Sequence, residues 1–166
     1  MRRALAAVCA AALVLAASPA AAHASVMRTT LTEDSTGVSP MDSGDGISAC
    51  VGYTGLVYEA RHGLWKVTVG TRDGHVEGEV HASFRIFPRP GYPGITYSGT
   101  YVEHDVGRFS VRDFETPHPN AMFQLRARAV GTDGSVLQFH EIGQTHIDLR
   151  TGAVKRERYT LNCAVR

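Results

Sequence analysis

The chain has 166 residues, with 17 lysines and arginines against 16 aspartates and glutamates, for a formal net charge of +1. That near-neutral balance provides no long-range attraction for nucleic acid or an anionic membrane. Frequent glycine and the lack of long helical periodicity point to one small domain of β structure and turns.

Met1, Arg2 and Arg3 supply a positive start, Ala4 to Ala17 an apolar run, Ser18-Pro19 a break, and Ala22-His23-Ala24 a small-x-small cleavage pattern. Together they read as a secretory signal peptide over residues 1–24, too short in its apolar part to span a bilayer. No later segment is long and apolar enough to span, so the sequence predicts a secreted, extracellular protein with no membrane span. Residues 25–46 are polar, rich in Thr, Ser, Asp and Gly, and without periodicity; they read as a flexible polar leader. Asp42-Ser43-Gly44-Asp45-Gly46 lacks the spacing of a calcium loop.

The β domain is expected over residues 47–166. Its predicted strands are Tyr53–Ala60, turned by His62-Gly63, then Leu64–Gly70, ended by Arg72-Asp73-Gly74. His75–Phe87 is the clearest: Val76, Gly78, Val80, Ala82, Phe84 and Ile86 alternate with His75, Glu77, Glu79, His81, Ser83 and Arg85, a period of two that no helix produces. The proline-rich stretch Pro88–Gly94 is a loop. Ile95–His104 and Arg108–Phe114 follow. After a loop at Thr116–Asn120 come Ala121–Val130, Ser135–Leu149 and Val154–Ala164.

Cys9 lies in the apolar run of the signal. Cys50 and Cys163 remain, and in an exported chain an isolated pair reads as a disulfide. It would place the start of the ordered domain beside its end. Long sequential strands with tied ends predict an all-β fold, a single antiparallel up-and-down β-barrel of about eight strands, with a β-sandwich as the alternative.

Signatures for chemistry are sparse. There is no nucleophile elbow, phosphate loop or Rossmann fingerprint, and no cofactor is expected. His140 and His146 stand too far apart on a strand to share an ion, as do His75 and His81, so no metal site is predicted. Arg126, Arg128, Arg156 and Arg158 alternate on two late strands and read as a solvated outer face, with an anion-binding basic stripe as the alternative. Glu141 shares a strand face with Leu137, Phe139, Gly143 and Ile147, and Glu157 shares one with Tyr159, Leu161 and Cys163. A carboxyl inside a barrel has its pKa raised, so Glu141, Glu157 and Tyr159 are the candidate acid/base residues. Trp65, Phe84, Tyr97, Tyr101, Phe123 and Phe139 are the candidate ligand-binding residues. Small residues on the same faces, Gly78, Ala82, Gly99, Ala127, Ala129 and Gly143, would either leave room for a lumen or let the barrel flatten and pack.

The stretch Val130-Gly-Thr-Asp-Gly-Ser-Val-Leu-Gln-Phe-His140, with the last strand ending at Cys163 and the Ala-rich signal, resembles a group of small secreted β-rich proteins of unassigned function from high-GC Gram-positive bacteria. The resemblance implies secretion and β architecture. The likeness to lipocalins is architectural only, since Gly63-Leu64-Trp65 falls one strand later than their Gly-x-Trp. Three functions follow as expectations. The first is a barrel that binds a small apolar or amphipathic molecule in its lumen. The alternatives are a cofactor-free cyclase or isomerase with a buried carboxylate, and an extracellular interaction or inhibitor module presenting the proline-rich loop to a protein partner.

Overall fold

A computed structural model describes residues 26–43, 46–110, 120–147 and 154–166. The expected signal peptide lies outside them. Their elements in chain order are β1 (Met27–Met41), α1 (Gly46–Val51), β2 (Gly55–Val69), β3 (Asp73–Pro88), β4 (Tyr97–Ser110), β5 (Asn120–Gly131), β6 (Val136–Ile147) and β7 (Val154–Val165). The seven strands form one antiparallel sheet in the order β1-β2-β3-β4-β5-β6-β7. The meander follows from the turns. At the β5–β6 hairpin, Gly134 adopts φ 85°, a left-handed conformation that glycine takes without strain. Asp133 accepts hydrogen bonds from the Ser135 amide at 2.9 Å and from its hydroxyl at 2.6 Å.

The expected leader is corrected. Met27–Met41 is a strand, paired with β2 over its whole length from Met27↔Val69 to Met41↔Gly55. It is an edge strand with a half-buried inner face, so serine, threonine and glycine serve it as well as apolar residues would. The expected turn at His62-Gly63 is absent as well: β2 runs straight through it, and Gly63 is buried with Val80 and Trp65 above it. Likewise β4 continues past His104 to Ser110. Two pairs of expected strands are therefore single long ones, and a strand not foreseen precedes them.

The all-β up-and-down meander stands, but its closure does not. Among the described residues β1 is hydrogen-bonded to β2 and β7 to β6, and no ladder joins β1 to β7. The sheet nonetheless curls. Phe84 on β3 and Phe139 on β6 would stand about 14 Å apart on a flat sheet, yet their ring centroids are 5.8 Å apart at an interplanar angle of 64°. The concave face holds the core, with Val80, Ile86 and Leu137 fully buried.

α1 packs against β7 beside the unpaired seam. Gly46 lies flush on Leu161, whose Cδ2 would be 2.5 Å from any Cβ there. Gly52, at φ 78°, ends the helix with its amide donating to the Ser48 carbonyl at 2.9 Å. Cys50 on α1 is bonded to Cys163 on β7, with Cα atoms 6.0 Å apart and 113 residues between them in sequence. The pairing expected from the sequence is thus present. Closing so long a loop restricts the unfolded chain by up to ~4–5 kcal/mol on the chain-entropy account. Replacing both cysteines with serine is expected to lower the unfolding free energy by about 2–4 kcal/mol, read from urea denaturation with and without reductant. The double variant should be insensitive to reductant.

Candidate functional site

Strand parity decides what faces the interior. Odd-numbered residues of β2, β4, β5 and β6 and even-numbered residues of β3 point inward, as their alternating burial shows. One register row crosses the whole sheet: Glu33, Gly63, Val80, Glu103, Leu125, Glu141 and Leu161 stand opposite one another in turn. It carries three carboxyl groups. The row on one side contains Arg61, Ala82, Tyr101, Ala127, Phe139 and Cys163. The row on the other contains Leu31, Trp65, Gly78, Asp105, Phe123, Gly143 and Tyr159.

These residues form a polar cluster inside the curl. Arg61 Nη2 donates to Glu103 Oε2 at 3.2 Å, bridging β2 and β4 over β3. Tyr101 donates its hydroxyl to Glu59 Oε1 at 3.4 Å. Glu103 and Asp105, each 6% exposed, share a side-chain hydrogen bond. Tyr159 is hydrogen-bonded to Glu141. Four polar atoms are buried with no hydrogen-bond partner among the described residues: Glu33 Oε2, Asp105 Oδ2, Arg61 Nε and Trp65 Nε1.

Burial sets the protonation. It pushes Asp105 up to about 8, helped by the charge of Glu103 and opposed by Arg61. Burial also raises Glu103, with Arg61 pulling the other way and Glu141, Glu59 and Glu33 adding to the rise. Glu141 is raised by burial against the Tyr159 hydrogen bond. For Arg61, burial alone would weaken the charge, but Tyr101, Glu103, Glu59 and Glu33 outweigh it and hold the guanidinium more firmly protonated. Near neutrality the neighbouring Glu103 and Asp105 act as a coupled pair holding a proton between them.

The expected ligand-binding residues all lie on the concave face. Phe84, Tyr101 and Phe139 come together, with the Phe84 and Tyr101 centroids 6.0 Å apart. Tyr97 is buried at one end, its hydroxyl 3.2 Å from Ser135 Oγ, to which it donates because the serine proton goes to Asp133. Trp65 and Phe123 are used differently. Each lies over the glycine opposite it, Trp65 on Gly78 and Phe123 on Gly143, filling the space those small residues leave. Of the acid/base candidates, Glu141 is half-buried within the cluster, Tyr159 reaches it from the seam, and Glu157 is exposed. Of the disulfide cysteines, Cys163 ends the row of Arg61, Tyr101 and Phe139 on β7.

Sequence reasoning missed Glu33, Glu59, Arg61, Glu103 and Asp105. A signal existed for the last two. Ile95, Tyr97, Gly99 and Tyr101 share a face, and continuing that alternation reaches Glu103 and Asp105 at once.

The convex face carries the remaining charge. His62 meets Asp34 at 2.7 Å, His81 meets Glu79 at 2.7 Å, and His104 meets Glu79 at 3.4 Å. Arg126 and Arg128 are exposed there, and the Arg156 side chain is outside the described set. Among the described residues no group of three His, Cys, Asp or Glu side chains is placed to hold a metal ion. The proline-rich loop borders a shallow open depression lined by Arg85, Phe87, Arg89 and Tyr92, and Tyr92 is 69% exposed. No protein-family model, curated protein or solved structure matches this chain.

Two outcomes follow from the cluster. Arg61→Met strands Glu103 without its cation and is expected to destabilise the fold by about 3–5 kcal/mol near neutral pH, with the loss shrinking in acid as Glu103 takes up a proton. Urea denaturation across pH measures it. For Asp105 the folded state keeps a proton that the unfolded state gives up near pH ~4. The folded form therefore binds more protons between there and about 8, so its contribution to stability declines as pH rises through that window and then levels off. In Asp105→Asn that decline should be missing.

Proposed function

We propose that this protein is exported and binds a small amphipathic molecule against the concave face of its sheet. The observation that carries the reading is the division of that face. Phe84, Tyr101 and Phe139 form an aromatic wall, and immediately beside it lie Glu33, Arg61, Glu103 and Asp105 with four buried polar atoms lacking partners. Unpartnered buried polar atoms cost about 1–3 kcal/mol each, which a ligand or ordered water relieves. An aromatic wall with a few convergent polar groups is the usual make-up of a small-molecule site. Export is supported by the arginine-led, alanine-rich start of the sequence and by the Cys50–Cys163 disulfide, a bond favoured outside the cytosol.

A second reading has its own support. Asp105 holds a proton while Glu103 beside it pairs with Arg61, so an acid and a base stand next to each other away from bulk water. That is the equipment of a cofactor-free isomerase or cyclase.

Trp65 is the only tryptophan, it is buried, and it lies one register row from the acidic one, which makes its emission a local probe. Protein recovered from its own culture medium is expected to carry a bound small molecule in native mass spectrometry and to change Trp65 emission when that molecule is extracted and added back. Tyr101→Ala should weaken rebinding by about tenfold or more. A bare mass, together with unchanged emission on exposure to a lipid extract of the medium, would overturn the binding reading. Conversion of the rebound molecule by the wild type but not by Asp105→Asn would establish the second.

A further inference from the structure

The concave face holds five carboxyl groups, Glu33, Glu59, Glu103, Asp105 and Glu141, around one guanidinium, Arg61. Arg61 is committed to Glu103 at 3.2 Å, and Glu59 accepts from Tyr101 at 3.4 Å. Two carboxyl oxygens are left buried and unpartnered, Glu33 Oε2 and Asp105 Oδ2, the second on a residue only 6% exposed. Trp65, 4% exposed, presents an indole N–H without a partner; it lies over Gly63, where Glu33 Cβ also approaches. Two orphan carboxyl oxygens call for a donor, and a positive donor gains most, because it meets Glu33 and draws the proton off Asp105. The orphan indole donor is met by an oxygen of the ligand or a water beside that group.

We propose that the molecule bound here is a cationic amphiphile, its ammonium group held between Glu33 and Asp105 and its apolar part against Phe84, Tyr101 and Phe139. This rests on the binding reading above and names the class of ligand it implies.

The charged groups acting on Asp105 are Glu103 from β4, Arg61 from β2 and Glu33 from β1, while Gly78 of β3 and Phe123 of β5 stand opposite it. One step further out, Glu59 of β2 and Glu141 of β6 act on Glu103, Tyr101 of β4 donates to Glu59, and Tyr159 of β7 bonds Glu141. A cation there favours the ionised form of Asp105, so binding releases a proton, and affinity rises with pH until the free protein has already lost it.

The test uses three probes with the same chain, dodecylammonium, dodecanol and dodecanoate, each below its micelle concentration and titrated while Trp65 emission and binding heat are recorded. The primary ammonium has three N–H donors and, like a lysine head with a pKa of about 10.4, stays charged from roughly pH 6 to roughly pH 9, so the pH dependence belongs to the protein. The expected result is that dodecylammonium binds about tenfold tighter at roughly pH 9 than at roughly pH 6, with proton release in buffers of different ionisation heat, and at least about tenfold tighter than dodecanoate. Asp105→Asn should abolish the pH dependence, and Glu33→Gln, on the half-exposed edge strand, should weaken the cation and spare dodecanol. Their unfolding transitions verify that both variants fold. Equal binding of all three chains, or cation binding that ignores pH, overturns the cationic assignment while leaving an amphipathic site in place. No binding by any chain overturns the site itself.

Discussion

Arg61 and Glu103 meet at 3.2 Å inside the curl, one from β2 and one from β4, with Val80 and Ala82 of β3 beneath them. Two strands that share no backbone hydrogen bond are thereby held at a fixed separation on the concave side. A buried ion pair of this kind contributes little net stability relative to apolar residues of the same volume, because both charges lose their water. What it contributes is position. Burial raises both Glu103 and Asp105, and the guanidinium pulls against that rise at each of them. The protonation of the interior is set by burial and tempered by one arginine's location.

The same polar groups explain which parts of the fold were legible in the sequence. β3 alternates small or apolar residues with charged ones from Val76 to Ile86 and was plain, since every inward residue is uncharged. β2 was not, because Glu59 and Arg61 occupy inward positions and the apolar pattern lapses just before His62-Gly63, which then resembles a turn. β4 lost its second half for the same reason at Glu103 and Asp105. β1 is a limiting case: its inward residues include Glu33, Ser35, Gly37 and Ser39, a composition shared with linkers. Hydrophobic alternation detects strands whose buried face is apolar, so a buried polar site erases the signal for the strands that build it. Glu141 was visible because Phe139 and Leu137 precede it on an otherwise apolar face. The disulfide needed no pattern beyond two cysteines and a start of the sequence that reads as an export signal.

Glycine placement shapes the interior by another route. A glycine opposite an aromatic residue lets the ring lie flat across the neighbouring strand, which shields that strand's backbone and permits tight curvature. Trp65 on Gly78, Phe109 on Gly74 and Phe123 on Gly143 repeat the arrangement on three strand pairs. The small residues therefore mark where large ones lie across from them. Free space in the interior is to be sought around the unpartnered polar atoms of Glu33, Arg61, Trp65 and Asp105 instead.

The unpaired edges of β1 and β7 bear on the route open to the proposed ligand. In a fully laddered barrel the interior is entered from the ends, past the turns. Here Glu33 on β1 and Tyr159 on β7 come from the two strands that no ladder joins, while α1 and the Cys50–Cys163 bond restrain β7 in the rows around Leu161 and Cys163. Among the described residues no backbone hydrogen bond joins the two strands at the Glu33 level. Sideways admission of the proposed ligand there would leave the sheet's hydrogen bonding whole.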